Sequence, residues 1–185
     1  PYTPGWPLYI TWDFGLDTTA MIWWQRNPKT TMWRIIDMYQ NTDKLIDYYA
    51  PIVFGQLPSG QEFKYNADDI AKAESHLGWP AAIHFGDPDV AKRNLITGSS
   101  TRQELVKLGI HVQTNTQISS IQERITITKL FLRRIEGMDK ERCAILSDAM
   151  FAARYPERSD SSQSTTDNTT PVHDWSSHLR TAVEY

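Results

Sequence analysis

The chain has 185 residues, the length of a single domain, and its 40% hydrophobic content is enough for a sizeable core. A formal net charge of -3 excludes a globally basic surface, so any contact with a nucleic acid must be local. The single cysteine, Cys143, excludes an intramolecular disulfide, and no apolar run approaches the roughly 18 residues of a membrane span. These features predict a soluble cytosolic domain. Because the sequence begins at Pro1 without a methionine, we expect a fragment or a processed chain.

The first part of the sequence predicts a meander of three strands. Residues rich in β-branched and aromatic side chains run from Leu8 to Asp13, from Thr18 to Gln25 and from Thr31 to Tyr39. Turn signals, Gly15-Leu-Asp and Asn27-Pro-Lys, separate these runs. Connections this short favour antiparallel pairing of consecutive strands.

Two helical segments and a loop follow. Asn41 or Thr42 is predicted to begin a helix whose apolar residues recur at helical spacing through Leu45, Ile46, Tyr49 and Val53, and Pro51 predicts a kink or an end in it. Residues 54–65 contain the turn signal Leu-Pro-Ser-Gly and predict a loop or a small hairpin. Asn66 is a candidate N-cap for a second helix, which has an acidic first turn and ends near Gly78.

Strands and helices alternate in the middle of the sequence. A short strand from Ala81 to Phe85 leads into the turn Gly86-Asp-Pro-Asp. A helix is predicted from Arg102 to Leu108, and another strand from Ile110 to Gln113. This alternation implies parallel crossovers, whereas the first strands imply antiparallel pairing, so we expect a mixed sheet.

The last third of the sequence is predicted to be helical. One apolar helix face is formed by Ile118, Ile121, Ile125, Leu132 and Ile135. Basic side chains fall largely outside that face, namely Arg124, Lys129, Arg133 and Arg134. A second helix is predicted from Arg142 to Tyr155, a flexible polar loop over residues 157–171 and a short amphipathic helix over residues 172–185.

Isolated aspartates lie at three points of this pattern. Asp13 ends the first strand and Asp87 follows the fourth, and a buried carboxylate costs several kcal/mol unless a cation or hydrogen-bond donors compensate it. If these strands lie side by side, the two aspartates converge, and Asp174 can join them from the last helix. Each also has a purely structural interpretation, as a turn residue for Asp13 and Asp87 or a helix N-cap for Asp174.

Three windows of the sequence resemble one family of nucleases in their order and approximate spacing. They are "YITWDFG" at residues 9–15, "IHFGDPDVAKRNLITGSSTRQELVKLGIHV" at residues 83–112 and "HDWSSHLRTAVEY" at residues 173–185. Together they are similar to the C-terminal nuclease domain of the large terminase subunit of tailed bacteriophages, a member of the RNase H-like nuclease superfamily. The chain differs from the family pattern at Thr181, where family members often carry an acidic residue, and in the long polar loop.

The resemblance implies a fold and an activity. It implies one α/β domain over residues 1–185, with an RNase H-like fold whose central mixed sheet of five or more strands is flanked by helices. The implied enzyme is an endodeoxyribonuclease that uses two Mg²⁺ or Mn²⁺ ions to cut concatemeric DNA when packaging starts and when the head is full. In this assignment Asp13, Asp87 and Asp174 are the catalytic metal ligands, and Asp13 bridges the two ions.

Further residues and partners follow from the same resemblance. Candidates to orient the ligands from an outer shell are Asp17, Asp89 and His178, for which turn or surface roles are the alternatives. Candidates for contact with the DNA backbone, or else solvated surface residues, are Lys92, Arg93, Lys129 and Arg133. The expected partners are double-stranded DNA, the portal, the small terminase subunit and an ATPase motor domain upstream in the same subunit. We expect no membrane association, and activity in the cytoplasm of the infected bacterium at the procapsid.

Other hypotheses stay open at this stage. One is a different RNase H-like nuclease, such as a junction resolvase or a transposase core. Another is an actin-like or sugar-kinase-like ATPase, because "DFG" followed by "DTT" resembles its phosphate loop, although that class needs two related domains. The third is a non-catalytic module that docks onto a packaging motor. The sequence has no Gly-x-x-x-x-Gly-Lys-Ser/Thr match, so a P-loop motor is not predicted within it.

Overall fold

The architecture is a central sheet with helices on both faces. The structure is a computed structural model that describes residues 1–15, 17–93, 98–114, 120–154 and 171–185. These segments contain six strands: β1 (Leu8–Phe14), β2 (Thr18–Arg26), β3 (Trp33–Thr42), β4 (Ile83–Gly86), β5 (Val112–Thr114) and β6 (Ile135–Met138). Their helices are α1 (Ile46–Phe54), α2 (Ala67–Ser75), α3 (Thr101–Lys107), α4 (Ile121–Leu132), α5 (Ala144–Phe151) and α6 (Ser177–Glu184).

The strands form one mixed sheet in the order β5-β4-β1-β2-β3-β6. The first three strands pair as an antiparallel meander. β4 pairs in parallel with β1, β5 pairs in parallel with β4, and β6 pairs in parallel with β3. The predicted fold class, a mixed sheet of five or more strands flanked by helices, is therefore confirmed.

Alternating side chains along the strands create two cores, one on each face of the sheet. On one face Ile10 and Trp12 of β1 pack with residues of α1, α2 and α3. On the other face Ile22 and Trp24 of β2 pack with residues of α5 and α6. Every second side chain of a strand points to the same face, so Asp13 shares a face with Tyr9 and Thr11. Tyr9 packs against the core that α6 covers, so the Asp13 side chain lies on that face.

The prediction that the last third is entirely helical is wrong. α4 ends at Leu132, and Ile135–Met138 forms β6 at the edge of the sheet beside β3. Four residues are too few for strand periodicity to be recognised, and this strand exists because the backbone groups of β3 need partners. Gly137 within the segment is a poor helix former and was a signal against the helix.

The predicted apolar face of α4 is correct only in part. Leu132 and Ile135 of that face pack against the core, and Phe131 packs beside them. Ile121 is 41% exposed, whereas Thr128, outside the predicted face, is buried. Ile118 lies outside the described residues, as do residues 155–170, which include nearly all of the predicted polar loop.

The predicted start of the first helix at Asn41 or Thr42 is wrong, because β3 extends to Thr42 and α1 begins at Ile46. The side chain of Asn66 accepts a hydrogen bond from the backbone N–H of Asp69 and caps α2, as predicted. Pro51 does not end α1, which continues to Phe54 and stops at Gly55 in a left-handed conformation with φ of 68°. None of the helices in the described segments is both long enough and apolar enough to cross a bilayer.

A buried carboxylate, Asp37 of β3, ties the sheet to α2 and to the segment before α5. It accepts hydrogen bonds from Lys72 Nζ at 2.6 Å, from His76 Nε2 at 2.7 Å and from Arg142 Nη2. Burial alone would raise the pKa of Asp37, but these three partners outweigh it and lower the pKa to about 2. The ionised carboxylate is therefore a stabilising part of the fold.

We expect Asp37→Asn to lower the free energy of unfolding by roughly 3 kcal/mol, because it removes the buried charge to which Lys72, His76 and Arg142 are bonded. Urea denaturation at neutral pH measures this loss. Since the pKa is lower in the folded state than its ordinary 3.8, the contribution of Asp37 is complete above pH 4 and disappears as the pH falls towards 2. The variant should therefore lose less stability than the wild type over that interval.

A matched control is Glu104→Gln, which removes an exposed carboxylate paired with Lys107. We expect this control to leave the stability nearly unchanged. Equal stability of Asp37→Asn and the wild type would show that the network around Asp37 does not hold the sheet and α2 together.

Candidate functional site

Asp13 and Asp87 lie next to each other at the carboxyl ends of the neighbouring strands β1 and β4. β1 and β4 pair in parallel, with Trp12 opposite Gly86, and the two aspartates are the next residues of these chains. The strands are therefore side by side, which is the condition on which the predicted convergence depended. In open α/β sheets the carboxyl ends of parallel strands form the edge where ligands bind.

Asp13 is held by α6. Asp13 as a whole residue is 9% exposed, and its carboxylate accepts a hydrogen bond from His178 Nδ1 at 2.7 Å. This bond raises the pKa of His178 above its ordinary value, against the opposing effect of burial. Gly15 permits the approach, because a Cβ there would lie 2.4 Å from the Thr18 carbonyl oxygen and 2.6 Å from the His178 ring. A glycine is therefore required at position 15, because α6 packs closely on this turn.

Asp87 is held at both carboxylate oxygens. One oxygen accepts the backbone N–H of Asp89 at 2.6 Å, which caps the turn Pro88–Ala91. The other accepts the hydroxyl of Tyr185, and burial followed by the charge of Asp87 raises the pKa of that hydroxyl. Arg124 of α4 donates to the same hydroxyl. The Asp87 side chain thus caps a turn and also lies at the candidate site.

Glu184 lies at the candidate site and is not among the residues predicted from the sequence. Its side chain is 9% exposed and lies 3.7 Å from the guanidinium of Arg124. Burial raises the pKa of Glu184 and the charge of Asp13 adds to this, while Arg124 opposes it. A signal was present, because Glu184 lies three residues after Thr181, where family members often carry an acid, on the same side of the helix.

The structure does not bring Asp174 to the other two aspartates. Its carboxylate accepts hydrogen bonds from the backbone N–H of Ser176 at 3.0 Å and from the Ser176 hydroxyl at 2.6 Å. The bonds to Ser176 hold the pKa of Asp174 below its usual value. It also lies 4.0 Å from Arg154. Through these contacts Asp174 caps the turn that leads into α6. The role of Asp174 as a metal ligand stays a prediction.

The remaining acidic candidates lie at the rim of the site. Asp17 is exposed, and its charge contributes to the raised pKa of His178. Asp89 is exposed and pairs with Lys92 at 2.7 Å. Neither contacts Asp13 or Asp87 through its own carboxylate in the hydrogen bonds of the described segments, so their outer-shell roles also stay predictions.

The predicted DNA contacts divide between two places. Lys92 and Arg93 are exposed just beyond the turn that holds Asp87. Lys129 and Arg133 are exposed on α4. Arg124, expected on the outside of that helix, instead points inward to Tyr185 and Glu184. Among the basic residues of α4, Arg124 is therefore the one linked to Asp87, through the hydroxyl of Tyr185.

The donors at the site are chemically suited to divalent cations but are already engaged. Carboxylate oxygens are the ligands that Mg²⁺ and Mn²⁺ prefer. Within the parts of the chain that the structure describes, no three Asp, Glu, His or Cys side chains already converge as a ligand set. His178 and Tyr185 each hold a carboxylate oxygen that a cation would use. A cation that takes the same oxygen lone pairs would compete with these two hydrogen bonds.

Two solved structures share the fold. The nuclease domain of the large terminase g2p from bacteriophage SPP1, in a crystal structure with bound Mn, superposes with a TM-score of 0.53 at 13% identity, covering 96% of this chain and 83% of that one. The P22 large terminase nuclease domain superposes with a TM-score of 0.53 at 11% identity, covering 85% of this chain and 74% of that one. No family model and no curated protein sequence matches the chain. The chain therefore has the RNase H-like fold of large terminase nuclease domains, which confirms the fold that the resemblance implied.

Tyr185→Phe tests the competition between hydrogen bonding and metal binding. The change removes the hydroxyl from Asp87 and frees a carboxylate oxygen, so we expect Mn²⁺ to bind several-fold more tightly in calorimetric titrations. The metal-free melting temperature should fall slightly, because a hydrogen bond worth about 1 kcal/mol is lost.

Tyr2→Phe is the matched control, since Tyr2 stacks on Trp79 on the opposite face of the sheet. It should change neither the Mn²⁺ affinity nor the melting temperature. Unchanged or weaker Mn²⁺ binding by Tyr185→Phe would mean that the tyrosine does not compete with the metal.

Proposed function

We propose that this chain is the divalent-metal-dependent endodeoxyribonuclease domain of a viral genome-packaging terminase. One observation carries the proposal, namely that Asp13 and Asp87 lie at adjacent carboxyl ends of parallel strands in a fold shared with two terminase nuclease domains. The substrate is concatemeric double-stranded DNA, cut at the initiation and the termination of packaging. The Mn in the SPP1 domain supports the choice of a divalent cation.

The chain's own residues would hold two ions, Mg²⁺ or Mn²⁺, chiefly through the oxygens of Asp13 and Asp87. When bound, two such ions supply an activated water and stabilise the leaving oxygen of a phosphodiester. His178 orients Asp13 from α6, and its raised pKa increases the fraction that is positively charged near neutral pH. Tyr185 orients Asp87, and Arg124 supplies a fixed positive charge beside the site.

A third carboxylate comes from one end of α6 or the other. Asp174 precedes the helix and carries the role that the family resemblance assigns to it. Glu184 ends the helix and lines the same cavity as Asp87. The charge of Asp13 contributes to the raised pKa of Glu184, which supports their proximity.

The wider assignment follows the family resemblance. An upstream ATPase motor domain would belong to the same full-length subunit, and the portal and small terminase subunit would be its partners. The domain would act at the procapsid in the cytoplasm of the infected bacterium. Lys92, Arg93, Lys129 and Arg133 would contact DNA phosphates, which predicts little sequence preference.

A non-catalytic docking module is the second candidate function. It is favoured by Thr181, which replaces an acid often found in the family, and by the engagement of both aspartates by protein donors. The two candidates differ in one observable property, which is nicking of DNA by the isolated chain with a divalent metal.

Asp13→Asn is the direct test of the nuclease. Supercoiled plasmid incubated with Mn²⁺ should be nicked and then linearised by the wild type, and the variant should lower that rate by orders of magnitude because it removes a metal-binding charge. Asp68→Asn, an exposed residue of α2, is the control and should cut as the wild type does. Nicking retained by Asp13→Asn would remove this site from the mechanism, and a wild type that never nicks would favour the docking module.

The third carboxylate is identified by comparing Asp174→Asn with Glu184→Gln. We expect Glu184→Gln to lower the Mn²⁺ affinity at least about tenfold and Asp174→Asn to leave it nearly unchanged, because the Asp174 carboxylate is bonded to Ser176 and not to the aspartate pair. Calorimetric titration of metal into each variant measures this. The reverse result would establish Asp174 as the third ligand.

A further inference from the structure

A cavity of about 600 Å³ opens directly beside Asp87, between α4 and α6. Its floor is the surface of the sheet, with Tyr9 and Thr11 of β1 and Phe85 of β4. The phenyl ring of Phe131 and the hydroxyl of Thr128 form the wall that α4 contributes. The volume lies within the range of about 300 to 1,000 Å³ that is typical of sites for small organic ligands.

The cavity contains aromatic rings that the protein covers only in part. The ring centroid of Tyr9 lies 4.9 Å from that of Trp33 and 6.5 Å from that of Phe85, the second pair at an interplanar angle of 26°. All three side chains are half-buried, so each leaves part of its ring open to the cavity. Aromatic faces of this kind bind nucleobases by stacking, largely without regard to sequence.

The negatively charged side chains around the cavity disfavour the binding of an anion inside it. Asp87, Asp89 and Glu184 line it, and the nearby cation, Arg124, is committed to Glu184 and Tyr185. A phosphate group within the cavity would be repelled by the carboxylates. A neutral planar ring with polar edges would not be repelled.

Polar groups inside the cavity suit the edges of such a ring. The hydroxyls of Thr11 and Thr128 and the amide of Gln113 belong to its lining. The Thr11 hydroxyl oxygen accepts a hydrogen bond from Trp24 Nε1 at 2.9 Å, which leaves its own hydrogen to donate. A nucleobase offers a planar face for the rings and acceptors and donors for these groups.

We propose that this cavity, here called the base cavity, receives an unpaired nucleobase next to the phosphate that is cut. The inference rests on the proposed nuclease function, because Asp87 belongs both to the aspartate pair and to the cavity. A paired base is stacked within the duplex and cannot enter, so the nucleotide must be turned out of the helix or lie in a frayed strand. The substrate class is therefore DNA with a local distortion at the cutting position, in place of a specific sequence.

An uncharged nucleoside tests the cavity without any metal. Thymidine is titrated into the ¹⁵N-labelled chain in the presence of a chelator, and the indole N–H signals of the seven tryptophans are followed. The signals of Trp24 and Trp33, which line the cavity, should shift and saturate. Those of Trp12 and Trp23, on the other face of the sheet, should not. An absence of saturable shifts, or shifts confined to the other face, would overturn the proposal.

Two variants and a control assign the binding to the cavity. Thr128→Phe fills the cavity and should raise the dissociation constant for thymidine at least about tenfold, since the base no longer fits. Phe85→Leu removes one ring and should raise it about fivefold. Phe63→Leu changes a ring that is 82% exposed and does not line the cavity, and it should have no effect. If the spectrum shows that Thr128→Phe does not fold, the dissociation constant of Phe85→Leu for thymidine alone tests whether the base binds in the cavity.

A cleavage assay then separates this inference from the nuclease itself. With Mn²⁺, the wild type should cut a duplex carrying a single unpaired nucleotide at least about fivefold faster near that nucleotide than a fully paired duplex, and Phe85→Leu should lose the difference. If the wild type cuts plasmid DNA but shows neither thymidine shifts nor a preference for the unpaired nucleotide, the nuclease proposal stands and the base cavity is overturned. Saturable thymidine shifts in a wild type that never cuts would leave a base-binding site and overturn the nuclease.

Discussion

The parallel pairing of β1 with β4 is the constraint on which the rest of the site depends. It fixes Asp13 beside Asp87, and two neighbouring carboxylates at the end of a sheet require compensation by donors or cations. α6 supplies this compensation from two points, His178 for Asp13 and Tyr185, the residue that follows the helix, for Asp87. The opposite side of the helix buries Leu179, Ala182 and Val183 in the core, so the same packing that stabilises the fold also completes the site.

The molecule contains a second kind of buried carboxylate, and the difference between the two kinds is informative. Asp37 is fully enclosed and has Lys72, His76 and Arg142 as partners. Asp69 is 2% exposed and is bonded by the hydroxyls of Tyr39 and Tyr48. These carboxylates have little access to an external cation. Asp13 and Asp87 have fewer permanent partners, and Asp87 lines a cavity, which is the arrangement expected where a ligand has to replace a hydrogen bond.

Sequence patterns predicted those parts of the fold that local chemistry decides. The three strands of the meander, the cap at Asn66 and the turn at Asp87 follow from alternation and from residues with strong positional preferences. β6 was not predictable from its own residues, because its partner is β3, about a hundred residues earlier in the chain. Arg124 and Glu184 were missed for the same reason, since both enter the site only when α4 docks on α6. Glu184 lies one helical turn after Thr181, so the departure from the family pattern at Thr181 was the sequence feature closest to it.

Charge links the proposed metal site to the recognition of DNA. The chain carries a net charge of -3, and Asp13, Asp87 and Glu184 add a local concentration of negative charge where a phosphodiester would have to bind. Two divalent cations would reverse the sign of that local potential, so under the proposed function metal and DNA phosphate bind with positive coupling. The base cavity differs, because stacking on Tyr9 and Phe85 involves no charge and does not depend on that reversal. Recognition would thus divide into a charged part that requires metal and a stacking part that requires an unpaired base, and cutting would be fastest where both are satisfied at adjacent positions on one strand.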